Sequence, residues 1–270
     1  MSKDKLLKAR VRSENAKRLQ QLLLDYHYHR QALHQHPLKE QLELLGDWQA
    51  ERLKHTHADL YHNPRYHEAL DYLLKDLYSP KEFSRRDSDV ERVFPVMVKL
   101  LPDQALGTIA GLVELNLLSQ QLDLQLTQTL FLTLSVREIT ETSYAQAYRL
   151  CDNRAQRLHQ IHLFTNIGRD LERYVSSRLL AMTLKMTERP AYMAGVGELH
   201  SFLSRGFHSF RAMGGVEELL DRIIERELQI LERIHDGDDT PFALPQPIRV
   251  PKPESLPEPE QMPEVQVALV

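Results

Sequence analysis

Apolar residues recur every three or four positions along most of the chain, which is the period of one helix face. The first predicted helix covers residues 3–35 and ends before Pro37. A second covers residues 38–61, and a third runs over 64–77. The next predicted helix is kinked or restarted by Pro95, and another follows over 103–122. A further helix starts at Ser143, breaks near Asp152 and continues over 154–186 with a bend near Ser177. The last two predicted helices cover 195–213 and 216–234.

The segment LTQTLFLTLSV at 126–136 is harder to assign, because its Leu and Thr residues also suit a β-strand. An isolated strand would leave its backbone N–H and C=O groups without partners. We therefore predict helix here too. The chain as a whole is predicted to be all-α, with about nine helices in an irregular antiparallel bundle.

The composition changes after residue 236, because residues 237–270 hold eight of the fourteen prolines. Such a segment favours polyproline II and disorder over helix. We predict one helical domain over residues 1–236, with a basic N-terminal helix at 1–36 and a bundle core at 38–236. The Pro/Glu-rich tail at 237–270 is predicted to be disordered, and its closing VQVALV is either a docking motif for an unknown protein partner or an inert extension.

Overall composition indicates an ordinary globular protein. Of the 270 residues, 42% are hydrophobic, which is enough to fill a core, and the formal charge of −4 gives no reason to expect nucleic-acid binding. The sequence has no apolar run long enough to span a bilayer. The single cysteine, Cys151, cannot form an internal disulfide, which suits a reducing compartment. We therefore expect a cytoplasmic protein without a membrane span.

Three helices carry an ionisable side chain within an apolar stripe. His200 occupies such a position in the helix over 195–213, Glu227 in the last helix, and Glu114 in the helix that follows Pro102. An ionised carboxylate left alone in a low-dielectric core is strongly unfavourable. The two glutamates must therefore be paired, protonated or bound to a cation.

The second predicted helix supplies a possible partner, because its apolar stripe continues through Gln49 and Arg52, beside Trp48. In the simplest arrangement Arg52 pairs with one or both glutamates. A histidine, His162 or His200, would bind the remaining carboxylate lone pairs. The predicted cluster is either a structural network or the lining of a small-molecule pocket, and it comprises Trp48, Gln49, Arg52, Glu114, His162, His200 and Glu227.

A metal site formed by Glu114, Glu227 and His200 is a further alternative, in a haem-oxygenase-like or ferritin-like iron enzyme. Di-iron bundles need two Glu-x-x-His motifs, and the sequence has one, ending at His235. The chain also lacks a nucleotide-binding loop and a nucleophile elbow. We predict a non-catalytic binding, regulatory or scaffolding protein without a cofactor. The iron enzyme is the alternative, so the sequence does not decide whether the protein is an enzyme.

A charge-dense stretch follows the third predicted helix. Its arginines could bind a phosphate group. Its aspartates, at the start of a helix, are more simply explained as helix caps. The residues concerned are Arg85, Arg86, Asp87, Asp89 and Arg92.

Three segments, DWQAERLKHTHADL at 47–60, ALDYLLKDLYSPKEFSRRDSDVERVFPVM at 69–97 and GFHSFRAMGGVEELLDRIIERE at 206–227, resemble an uncharacterised bacterial helical family. That family has a Phe-Phe-Leu-Glu-Glu-Leu-Tyr motif followed by Pro, Asp-Phe and Arg-Asp-x-Asp. In this chain the motif has diverged to YLLKDLY at 72–78, whereas Arg86-Asp87-Ser88-Asp89 matches fully.

The resemblance implies one all-helical domain of bacterial origin and implies no activity. The positions that this chain shares with the family are Trp48, Arg52, Asp87, Asp89, Phe207, Met213 and Glu227. Two of them, Arg52 and Glu227, also belong to the cluster predicted from helical phase.

Overall fold

The computed structural model describes residues 6–74 and 83–243, and for residues 83–88 and Leu179 it describes the backbone alone. Within these ranges there is no β-strand, so the predicted all-α class is confirmed. No helix within them is both long and apolar enough to cross a membrane.

The described chain contains eleven principal helices. They are α1 (Glu14–His34), α2 (Lys39–Thr56), α3 (Ala58–Tyr61), α4 (His67–Tyr72), α5 (Phe83–Leu100), α6 (Asp103–Gln128), α7 (Glu141–Leu150), α8 (Arg154–Val175), α9 (Arg178–Met193), α10 (Gly197–Met213) and α11 (Glu217–Asp236). A π-helix, Thr129–Thr133, extends α6. The segment at 126–136 is therefore helical through Thr133, as predicted.

Residues 9–13 interrupt the helix that was predicted over 3–35. The Ser13 side chain caps α1 by accepting a hydrogen bond from a backbone N–H of its first turn. Before this cap the chain folds back, so that Gln20 Nε2 donates to Leu6 O over 2.6 Å and the Leu6 side chain is fully buried. Burial of Leu6 requires the chain to fold back before Ser13, which a straight helix over 3–35 would not allow.

The helix predicted over 38–61 is also divided, because the backbone leaves helical geometry at His57 (φ −108°, ψ 29°). The buried His57 side chain contacts Glu227 on α11. The third predicted helix, over 64–77, corresponds to the six-residue α4, and its last part lies outside the described residues.

The helix breaks predicted at proline, aspartate and serine positions are present in some cases and absent in others. Helix α5 runs through Pro95 without a break, although proline removes one backbone donor. The predicted break near Asp152 is confirmed, with a φ of 48° at that residue. The predicted bend near Ser177 is a complete break, at which this serine caps α9 by accepting from Leu180 N.

Helices α6 and α8 lie at the centre of the fold. Helix α6 packs against α1, α2 and α8, and α8 also packs against α9, α10 and α11. Helices α9 and α10 are joined by three residues and pack on each other, so they form an antiparallel pair. The glycine Gly168 permits close packing between α8 and α11, because a Cβ there would lie 2.5 Å from Leu220 Cδ1.

The described chain remains packed beyond residue 236, the predicted end of the helical domain. Phe242 is 6% exposed and packs edge-on against Trp48 and Tyr144, with ring centroids 6.0 and 5.8 Å away. The packed chain thus extends beyond α11 into the segment that was assigned to the tail, because an aromatic side chain can bury a large apolar area. Residues 244–270, including the proposed docking motif, lie outside the described part.

Candidate ligand-binding cavity

A cavity of about 480 Å³ is lined by residues of α1–α4, α6–α8 and α11. Its walls are largely aliphatic and aromatic. Two lining residues, His34 and Lys39 at the connection between α1 and α2, are exposed, so the cavity opens to solvent on that side. Representative apolar lining residues are Leu42, Leu112, Leu115, Ile161, Phe164 and Ile224.

One polar group in the cavity wall is formed by Arg52, His57 and Glu227. Arg52 Nη1 donates to Glu227 Oε1 over 2.6 Å, and His57 Nε2 donates to the same oxygen over 2.9 Å. Burial alone raises the pKa of Glu227, but the charge of Arg52 and the His57 hydrogen bond lower it to about 2. Glu227 is therefore an ionised carboxylate with two donors, and the predicted Arg52–Glu227 pair is present.

A second polar group lines the cavity beside the first. The amide Nε2 of buried Gln49 donates to Asp123 Oδ1 over 3.0 Å and to the Tyr144 hydroxyl over 3.4 Å. Trp48 lies behind this group, stacked on Tyr144 with ring centroids 4.4 Å apart. Burial raises the pKa of the Asp123 carboxyl, while the Arg157 charge and the Gln49 hydrogen bond oppose that rise. The carboxyl is thus held closer to its neutral form than an exposed aspartate.

Arg157, from the first turn of α8, completes this second group and is 4% exposed. Its guanidinium carbon lies 4.6 Å from the centroid of the Tyr148 ring, at cation–π distance. Its Nη2 donates to Leu122 O over 3.3 Å, and its Nη1 lies 4.0 Å from Asp123 Oδ1, which is beyond hydrogen-bond distance. Within the described chain no acceptor reaches its Nε.

Tyr148 covers one face of the Arg157 guanidinium and is half-buried in the cavity wall. Burial raises the pKa of its phenol far above the usual range. The phenol therefore stays neutral at physiological pH and does not supply a counter-charge for the arginine.

Glu114, which was predicted to belong with Glu227, lies elsewhere. Its carboxylate pairs with Arg18 on α1 and accepts from His159 Nε2 over 3.1 Å. Burial raises the pKa of Glu114, and these two partners outweigh that effect and lower it. The predicted ligand His162 is exposed and does not line the cavity. Helical phase placed Glu114 on a covered face but could not say which helix covers it.

His200 is buried, as its position in the apolar stripe predicted, but it does not line the cavity. Its Nε2 donates to Leu184 O over 2.8 Å and lies 3.3 Å from Thr187 Oγ1. Both partners are on α9. The imidazole therefore links the antiparallel helices α9 and α10, and its position is explained by a hydrogen bond across that pair.

The ligand set of the iron alternative is not assembled. Glu114, Glu227 and His200 each bind separate partners on different helices. Across residues 6–74 and 83–243, no group of three His, Cys, Asp or Glu side chains is arranged to hold a metal ion.

Asp87 and Asp89 do not occupy the cap positions that were predicted for them. Helix α5 has begun by Phe83, so Asp87 and Asp89 lie inside it, where a side chain cannot cap the start. Arg92 Nη2 donates to Asp89 Oδ1 over 2.7 Å and to Gly195 O in the turn before α10. The side chains of Arg85 and Arg86 are outside the described part.

Several cavity residues escaped the sequence analysis, namely His57, Asp123, Tyr144, Tyr148 and Arg157. One signal was available, since Asn116, Gln120 and Asp123 follow one another at helical spacing and form a polar stripe along α6. Nothing in the sequence links that stripe to Arg157, which meets it only through the packing of α6 against α8.

The described part of the chain is an all-helical protein with a partly polar cavity among its helices. The chain belongs to the family described as Domain of unknown function (DUF8198), whose model matches residues 28–241. Membership of an uncharacterised helical family is thus confirmed, while the bacterial origin stays a prediction. No curated protein and no solved structure matches the chain.

Proposed function

We propose that the chain is a non-catalytic binding protein, and that its ligand is a small, mostly apolar molecule held in the cavity. The observation that carries this proposal is a cavity of about 480 Å³ whose lining surface is mostly apolar, with leucine, isoleucine and aromatic side chains interspersed with buried and half-buried polar groups. Ligand pockets have this size and composition. A core that served stability alone would be packed closed, because each unfilled volume loses dispersion contacts.

The volume limits the size of the ligand. A cavity of about 480 Å³ lies in the lower part of the range for small-molecule pockets, roughly 300–1,000 Å³, so we expect a ligand at the small end of that class. Polar contacts would come from Gln49, Arg52 and Arg157. The proposed binding therefore requires no metal or prosthetic group.

Gly46 offers a way to fill the cavity without a clash. It lines the cavity from α2, and a Cβ at this position would meet no other atom within 4 Å. A Gly46→Phe chain should therefore fold and lose cavity volume. Asp47→Phe adds the same ring at the neighbouring, exposed position and is the matched control.

The test is fluorescence titration with the neutral apolar probe phenylnaphthylamine. We expect one probe molecule to bind the wild type and Asp47→Phe with equal affinity, and Gly46→Phe to bind at least about tenfold more weakly. Helical circular dichroism verifies that all three chains are folded. Absence of binding to the wild type, or equal binding by Gly46→Phe, would overturn the proposal.

A further inference from the structure

Arg157 is a buried cation with few partners. A guanidinium has five N–H donors and keeps its charge in proteins. In the described chain two of its nitrogens make long hydrogen bonds, Nη1 to Gln160 Oε1 at 3.5 Å and Nη2 to Leu122 O at 3.3 Å. Its Nε reaches no acceptor in the described chain. Buried arginines are normally held by a hydrogen-bonded carboxylate or phosphate.

Asp123 lies at ion-pair distance from Arg157 but accepts no hydrogen bond from it. Its Oδ1 accepts from Gln49 Nε2 over 3.0 Å, whereas Arg157 Nη1 is 4.0 Å from the same oxygen. Its raised pKa further reduces the negative charge that it offers to the arginine. The donor edge of Arg157 therefore has unused capacity within the cavity wall.

We infer that the cavity binds a medium-chain alkyl carboxylic acid, with the carboxylate at the inner end of the cavity and Arg157 as the anion-binding residue. This inference rests on the proposed function. The alkyl chain lies against the leucine and isoleucine lining. Dodecanoate falls within the size that the volume allows and is the probe that we choose.

The inner position follows from the spacing along α2. Lys39 is on the side where the cavity opens to solvent, and Gln49, which contacts Asp123 beside Arg157, is ten residues further along the same helix. At about 1.5 Å per residue the two positions are about 15 Å apart. Leu42 and Gly46 line the cavity between them. The cavity thus has a charged group at its inner end and an apolar middle, and a ligand with one charged end and an apolar chain matches this arrangement.

The experiment compares head groups that carry the same alkyl chain. Displacement of phenylnaphthylamine is measured for dodecanoate, dodecanol and dodecylamine at a pH where the acid is ionised and the amine is protonated. We expect dodecanoate to bind about tenfold more tightly than dodecanol, because hydrogen bonds to a charged group are the strong ones. Dodecylamine should bind most weakly of the three.

Three variants locate the contact. Arg157→Gln should reduce dodecanoate affinity to that of dodecanol, whereas Arg154→Gln, an exposed arginine on the same helix, should leave both unchanged. Asp123→Asn removes the protein carboxylate that competes with dodecanoate for Arg157. It should raise the affinity for dodecanoate several-fold without changing the affinity for dodecanol. Asp123→Asn provides a test even if Arg157→Gln does not fold.

The outcomes separate the two proposals. If dodecanoate and dodecanol bind equally, or if Lys39→Gln rather than Arg157→Gln removes the preference for the acid, the carboxylate inference is wrong while the binding function stands. If none of the alkyl ligands displaces the probe and the probe itself does not bind, the proposed function is wrong.

Discussion

Arg52 Nη1 lies 2.6 Å from Glu227 Oε1, and this ion pair joins α2 to α11 across 175 residues of sequence. Both side chains are largely buried, at 13% and 20% exposure. Such pairs are costly to break, because the remaining charge stays in a low-dielectric site. The pair anchors one wall of the cavity and therefore connects the stability of the fold with the shape of the candidate site.

Removal of Arg52 should destabilise the protein strongly. We expect Arg52→Ala to lower the free energy of unfolding by about 3–5 kcal/mol, as measured by urea denaturation. Arg154→Ala is the matched control, since its pair with Glu232 has side chains that are 47% and 49% exposed. This control should lose about 0–1 kcal/mol. Equal losses in the two variants would show that the Arg52 pair is not buried in solution.

Glu227 should make stability depend on acid pH. Its pKa is about 2 in the folded chain against an ordinary value of 4.5, so the unfolded chain takes up a proton first as the pH falls. The resulting stabilisation, about 3 kcal/mol, is complete above pH 4.5 and is lost as the pH falls towards 2. Urea denaturation across this range should therefore give a steeper loss for wild type than for Glu227→Gln, and parallel profiles would contradict the assignment.

His200 should affect stability without affecting binding. His200→Ala removes the buried imidazole that donates to Leu184 O across the α9–α10 pair, which we expect to cost about 1–3 kcal/mol in thermal or urea unfolding. Phenylnaphthylamine affinity should not change, because His200 does not line the cavity. The exposed His208 is the control, and its alanine variant should change stability by less than about 0.5 kcal/mol. A large loss of probe affinity in folded His200→Ala would contradict this structural role.

Phe242 should be required for full stability even though it follows the last helix. We expect Phe242→Ala to cost about 3–5 kcal/mol, because the ring is 6% exposed and packs on Trp48 and Tyr144. Leu132→Ala, at a side chain that is 64% exposed, should have little effect in the same urea experiment. If the two variants were equally stable, the segment after α11 would not be part of the packed domain.

The secondary structure was largely predictable because the periodicity of buried residues is local. The spacing rule found helices on both sides of Asp152 and at 126–136, where composition alone allowed a strand. It missed the interruptions before Ser13 and at His57. Both interruptions accompany contacts with distant parts of the chain, which local spacing does not record.

The candidate site was predictable only in part. Arg52 and Glu227 interrupt apolar stripes, so each was expected to be buried and to need a partner of opposite charge. The same rule also selected Glu114 and His200, which are held by α1, α8 and α9 instead. Helical phase identifies a buried face, whereas the identity of the facing residue depends on tertiary packing. For that reason Arg157 and Asp123 emerged only from the structure.

The most direct test of the binding account is a crystal structure of the full chain with dodecanoate. The account predicts electron density for one alkyl chain between Leu112, Ile161 and Ile224, with its carboxylate within hydrogen-bond distance of Arg157. Density confined to the surface near Lys39, or a cavity closed by its own side chains under saturating dodecanoate, would contradict it.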